Sequence, residues 1–146
     1  MAQMRERLEG CRQEVDRAGL ALTVIDDGAL SVRLGREIGR RLAAMPPDER
    51  PDGIFGGNDE VALGIMHSLL EAGIDIPAEV SIVGYDDIEF ASASAVALTS
   101  VRQPSREIGR RAAELMLDAL AGEDVQHRST RFEPELVVRR SSRPVA

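Results

Sequence analysis

Apolar residues recur at helical spacing through residues 4–18. Met4, Leu8, Cys11, Val15 and Ala18 share one face, and Gly19 suits the position just past a helix end. Residues 20–25 form a short apolar run closed by Asp26, Asp27 and Gly28, the pattern of a strand entering a turn. Ser31 is placed to cap a second helix, whose stripe is Leu34, Ile38 and Leu42 and whose stop is Pro46-Pro47. Residues 53–57 (GIFGG) and 80–85 (VSIVGY) read as buried strands, and residues 98–101 as a further one. Between the first two of these, Asn58-Asp59 opens a helix running to Ala72, with Gly73 as its terminator. Residues 91–97 are small and predict no element. Pro104-Ser105 opens a last helix with Ile108, Ala112, Leu115 and Ala119 on its buried side and Gly122 after it. The tail alternates, Phe132, Leu136 and Val138 on one side and Arg131, Glu133, Glu135 and Arg139 on the other. Pro134 marks it as an edge strand.

Strand and helix alternate, and the strands are uniformly apolar rather than half polar. That combination predicts an α/β fold, a parallel sheet flanked by helices on both faces and joined by right-handed crossovers. The helix from Glu60 to Ala72 is apolar nearly all round, so something besides the sheet covers it, either a neighbouring helix or a second subunit.

In an open parallel sheet ligands bind beyond the carboxyl ends of the strands. Asp26-Asp27, Asn58-Asp59 and Asp86-Asp87 stand at three such ends. Asn donates and accepts while Asp only accepts, which suits a small ligand rich in hydroxyl or amino groups. The same residues also cap helices and shape turns, and Asp59 in particular is expected to cap rather than to touch a ligand.

Charge and composition narrow the function. The chain has 146 residues, with 18 basic against 25 acidic ones, so its net charge of −7 opposes direct contact with DNA. No residue pattern of a metalloprotease, serine hydrolase or P-loop occurs, the two histidines stand apart, and Cys11 is the only cysteine. An enzyme is not expected, and neither is a cofactor or bound metal. With no secretory leader and no long apolar run, the expectation is a cytoplasmic protein that does not enter a membrane.

Residues 51–87, PDGIFGGNDEVALGIMHSLLEAGIDIPAEVSIVGYDD, resemble the signature block of LacI/GalR-type transcription regulators. LTSVRQPSREIGRRAAELML and ELVVRRSS resemble that family's closing segments, and RLEG at residues 7–10 resembles the start of its first sensor-lobe helix. The resemblance covers nearly the whole chain in the right order. It implies the C-terminal part of a periplasmic-binding-protein-like sensor, with a small-molecule effector, a sugar first, in a cleft between two lobes. It implies effector contacts from Arg7, Asn58 and Asp86, with Leu30 and Asp26 as secondary candidates. It further implies a homodimer face on Val61, Ile65, Met66, Leu69 and Phe90.

By the same resemblance, residues 1–98 and 122–146 form the C-terminal lobe, and residues 99–121 a crossover that packs on an N-terminal lobe absent here. The lobe's opening strand and the helix-turn-helix are expected to be missing too, so operator DNA would be reached only through that absent domain. The crossover's apolar stripe is then expected to be covered by dimerisation. Two departures stand out. Leu30 occupies the position where the family often places an aromatic platform for a sugar, and VALTS replaces the usual proline-containing phrase. The alternatives are a solute-binding protein of a sugar transport system and a truncated regulator with no retained activity.

Overall fold

The computed structural model describes residues 2–25, 28, 30–125 and 128–143. Helix α1 (Ala2–Arg17) is followed by α2 (Val32–Ala43), β1 (Gly53–Phe55), α3 (Asp59–Glu71), β2 (Ser81–Tyr85), α4 (Glu89–Ala93), β3 (Thr99–Arg102), α5 (Ser105–Leu120) and β4 (Glu135–Val137). The four strands form one sheet in the order β1-β2-β3-β4. The first three are parallel, with Phe55 opposite Val83 and Tyr85 opposite Val101, and β4 closes the far edge antiparallel, starting directly after Pro134. The sheet is therefore mixed, with helices flanking it.

Local chemistry accounts for the helix starts. The Ser31 hydroxyl accepts from Leu34 N at 3.2 Å, and Asn58 Oδ1 accepts from Val61 N at 2.9 Å, each satisfying a first-turn amide. Gly19 and Gly73 take positive φ angles just beyond α1 and α3. Asn58, not Asp59, is thus the cap of α3.

The core lies between α3 and the sheet, with α2 laid over α3. Ile38 and Leu42 from α2 meet Val61, Ile65, Met66 and Leu69 from α3, and Ile82 and Leu98 come from the sheet side. The two helices cross on glycine. A methyl group at Gly64 would strike the Val32 carbonyl and come within 2.8 Å of Arg36 N, and one at Gly39 would lie 2.7 Å from Ile65 O. Mostly backbone atoms approach there, with the Ser68 Cβ beside Gly39, so the axes close up and the apolar wrap of α3 is filled from within the chain. This corrects the expected dimer face. Val61, Ile65, Met66 and Leu69 are core residues, and of the five only Phe90, 71% exposed on α4, stands free.

Two further expectations are corrected. Residues 20–25 form no strand, and Leu20, Leu22, Val24 and Ile25 stay exposed. A strand needs a neighbour for its amides and carbonyls, and among the described residues no strand pairs with this segment. Second, α5 buries none of its residues, including Ile108, Ala112, Leu115 and Ala119. Two of its ion pairs, Arg110–Glu114 and Arg111–Glu114, run along its own surface. In the tail, whose buried side the alternation left open, Leu136 and Val138 are exposed, while Arg139 donates to the Leu98 carbonyl at 2.8 Å.

The glycine crossing yields a sharp expectation. Gly64→Ala should lower the unfolding free energy by about 1–3 kcal/mol or more, as overpacking against rigid backbone does. Gly109→Ala in α5, where a methyl group meets nothing within 4 Å, should raise it by about 0.5–1 kcal/mol. Urea titrations of the two variants check both signs, and equal effects would contradict the close crossing.

Candidate functional site

Because β1, β2 and β3 are parallel, their carboxyl ends share one rim. Asn58 follows β1, Asp86 is the first residue after β2, and Gln103 the first after β3. The residues beyond the second strand are held in an unusual shape. Asp86 and Asp87 have φ angles of 106° and 51°, in the left-handed region that aspartate tolerates better than most side chains.

The carboxylate of Asp59 braces this turn from beneath. Asp59 is fully buried. Its Oδ2 accepts from Ile88 N at 2.8 Å, and its Oδ1 accepts from the Ser100 hydroxyl at 2.6 Å. Ser100 Oγ in turn accepts from Asp87 N at 3.0 Å. Gly84 makes the room, since any side chain there would run into Asp59 Oδ1. Burial raises the Asp59 pKa above its ordinary value. The hydrogen bonds from Ser100 and Ile88 oppose that rise, and the charges of Asp86 and Asp87 add to it. Asp87 behaves in the opposite way. Burial works to raise its carboxyl, but Arg139 at 2.6 Å and Arg102 at 2.7 Å outweigh it and hold the pKa below the usual carboxylate value.

With the turn fixed, Asp86 presents its side chain at the rim. Its amide donates to Val101 O at 2.9 Å, and Oδ1 accepts from Gln103 Nε2 at 2.8 Å. Arg7 reaches the same place from α1. Its Nη1 donates to Gly57 O at 2.9 Å, its guanidinium carbon lies 3.6 Å from the centre of the Tyr85 ring, and Nη2 is 3.9 Å from Asp86 Oδ1. At 15% exposure the Arg7 side chain is no ordinary surface charge. It bridges the ends of β1 and β2. Beside it opens a cleft of about 600 Å³ between α1 and the sheet, lined by Glu6, Arg7 and Cys11 on one side and Phe55, Tyr85 and Gln103 on the other.

The sequence-predicted residues are thus partly gathered. Arg7 and Asp86 stand together at the rim, where Arg7 but neither Asp86 nor Asn58 lines the cleft, and Asn58 adjoins the Gly57 carbonyl that Arg7 holds. Since Asn58 Oδ1 is used as the helix cap, its amide nitrogen is what it has to offer a ligand. Leu30 lies over Gly57 at the same end of the sheet. Asp26 falls outside the described residues. Gln103 and the bracing role of Asp59 were not anticipated. Gln103 obeys the strand-end rule, but the end of β3 was not fixed closely enough in the sequence to apply it. Chemically the rim offers one carboxylate acceptor, one guanidinium fork and two amides, and among the described residues no cluster of metal ligands occurs.

Residues 2–142 match the family described as a periplasmic binding protein-like domain. The chain is 33% identical over 136 residues to the HTH-type transcriptional repressor PurR of Vibrio parahaemolyticus, a match that covers 92% of this chain and 40% of that protein. It resembles the LacI family transcriptional regulator of Lactobacillus casei solved with bound sucrose, with a TM-score of 0.81 and 30% identity over 94% of this chain and 51% of that one. It also resembles the transcriptional regulator CelR in its cellobiose complex, with a TM-score of 0.84 and 32% identity over 94% of this chain and 42% of that one. The chain therefore spans about half or less of each of these relatives, and they are transcription regulators, not enzymes.

The brace has a pH signature. Because folded Asp59 holds its proton more tightly than the unfolded carboxyl, the stability this group contributes is full below 3.8 and falls as pH rises through the raised folded value. Asp59→Asn removes that titration. The unfolding free energy of the wild type, minus that of the variant, should therefore decrease as pH climbs above 3.8. A difference that stays flat across parallel urea titrations would show that the buried carboxyl does not titrate as argued.

Proposed function

This chain belongs to the periplasmic binding protein-like domain family, and on that premise we propose that it is the effector-sensing portion of a LacI-type transcription regulator. The observation that carries the reading is the meeting of Arg7 and Asp86 at the carboxyl rim of three parallel strands, with Asn58 beside them and a cleft alongside. A fixed carboxylate accepts from ligand hydroxyls, and a guanidinium fork donates to ligand oxygens. A sugar presents both kinds of group on every ring, which makes a hydroxyl-rich small molecule the first choice of effector and a purine base the second. Two of the similar structures hold sucrose and cellobiose.

In this reading the effector binds between this lobe and a second one contributed by the longer protein, and favours one arrangement of the two. Its differential affinity then shifts how tightly an attached DNA-binding domain holds its operator. The acidic surface of this portion, with net charge −7, leaves DNA contact to other parts of that protein. No described helix is long and apolar enough to cross a membrane, and the regulator is proposed to act in the cytoplasm. Dimerisation is proposed through Phe90 on α4, whose ring lies open to solvent.

Calorimetric titration with sucrose, cellobiose and a free purine base tests the effector. The wild type should bind one of the sugars, and Asp86→Ala should weaken binding by about 10- to 100-fold, as loss of a charged hydrogen-bonding partner does. Unchanged affinity in that variant would exclude Asp86 as the ligand acceptor, and binding of the purine alone would replace the sugar. In sedimentation experiments Phe90→Glu should convert a dimer to a monomer; an unaltered dimer would place the interface elsewhere.

A further inference from the structure

The tail beyond β4 reaches back to the turn of Asp86 and Asp87 from a root in the core. Ser141 is fully buried. Its hydroxyl donates to the Ile82 carbonyl and accepts from Thr99 N at 2.8 Å, and its own carbonyl accepts from Ile82 N at 2.7 Å. Two residues earlier, Arg139 N donates to Thr99 Oγ1 at 2.8 Å. Arg139 Nη1 donates to the Leu98 carbonyl at 2.8 Å and lies 2.6 Å from Asp87 Oδ1. These partners belong to β2, β3, the residue before β3 and the turn after β2, all in the packed half of the chain.

That turn has to be held from outside, because residues with side chains rarely adopt the positive φ angles of Asp86 and Asp87. Asp59 and Ser100 grip its backbone, at the amides of Ile88 and Asp87. Those bonds fix where the Asp87 nitrogen lies but leave rotation about its N–Cα bond. The side chain removes that freedom, since its nearly inaccessible carboxylate meets both Arg139 and Arg102. Arg102 is half exposed and divides itself between Asp87 and Glu135, whereas Arg139 is largely buried and anchored on the Leu98 carbonyl. With amide and carboxylate both fixed, Asp87 sets the peptide plane that joins it to Asp86. It thereby sets the direction in which the Asp86 side chain leaves the turn.

We propose that Arg139 is a positioning residue for the effector site, which through the Asp87 carboxylate keeps the turn in the conformation that aims Asp86 at the rim. Its guanidinium is spent on Leu98 and Asp87 and touches no ligand. This rests on the reading of Asp86 as the effector's acceptor.

Hydrogen exchange and calorimetry on the full chain separate the hold on the turn from the effector reading. Arg139→Met removes the guanidinium and keeps most of the apolar stem. It should lower the protection factors of the Asp86, Asp87 and Ile88 amides by about tenfold, leaving those of Ile65 and Leu69 in α3 within about twofold. Asp87→Asn breaks the same pair from the other side, is nearly isosteric, and serves where Arg139→Met fails to fold; it should act alike. The double variant should lose no more than about threefold beyond either single one, because both remove one shared interaction. Unchanged turn amides overturn the proposal. So does a loss of protection that spreads equally to α3, or single effects that multiply in the double variant, since Arg139 would then be a general support of the fold. In calorimetry Arg139→Met should weaken whichever of sucrose and cellobiose the wild type binds by about tenfold, and unaltered affinity overturns the positioning of Asp86. Should the wild type bind neither sugar, the effector reading fails, while the exchange data still decide whether Arg139 holds the turn.

Discussion

A carboxylate buried under a turn holds this site in shape. Asp59 has no access to solvent, yet both of its oxygens are satisfied, one by the Ser100 hydroxyl and one by the Ile88 amide. Left unpaired, such a group would cost several kcal/mol. Paired, it fastens the start of α3 to the chain beyond β2 and to β3. The left-handed backbone of Asp86 and Asp87 persists because this brace over-determines it. The neighbouring ion pairs of Asp87 with Arg102 and Arg139 tie the same turn to β3 and to the tail after β4.

Rigidity is distributed unevenly around that brace. On one side, α2 and α3 close on Gly35, Gly39 and Gly64 and enclose the core. On the other, residues 20–25 join no strand among the described residues, and α5 and the outward side of β4 carry exposed leucines and valines. The candidate site lies on the seam between the two. Asn58 and Asp86 belong to the firm half, and Gln103 to the passage into the loose one.

Much of this was legible in the sequence. The cap Ser31, the terminators Gly19 and Gly73, and the strand ends at Asp86 and Asn58 announce themselves through short-range chemistry, and short-range chemistry survives folding. Parallel strands then place the polar ends on one rim by topology alone. What failed depends on distant partners. Residues 20–25 have the composition of a strand but no neighbour among the described residues, and composition carries no information about who sits alongside. The apolar wrap of α3 was ambiguous between an intrachain and an intersubunit cover. The glycines that decide the matter stand at residues 35 and 39 of another helix and at 64. Asp59 looked like a cap because it stands where caps stand; that its oxygens turn to residues 88 and 100 is a long-range fact.

The stacking of Arg7 on Tyr85 has a consequence for recognition. One flat side of the guanidinium is covered by the ring, and one nitrogen is already engaged by the Gly57 carbonyl. Most of the rotational freedom of this long side chain, worth about 2 kcal/mol when fully frozen, is therefore surrendered during folding rather than upon complex formation. In the proposed effector role, an incoming molecule would meet a plane of N–H bonds at a set tilt, and discrimination would turn on whether its oxygens lie in that plane. A lysine at this position would keep the charge but lose the plane, and with it the angular selectivity.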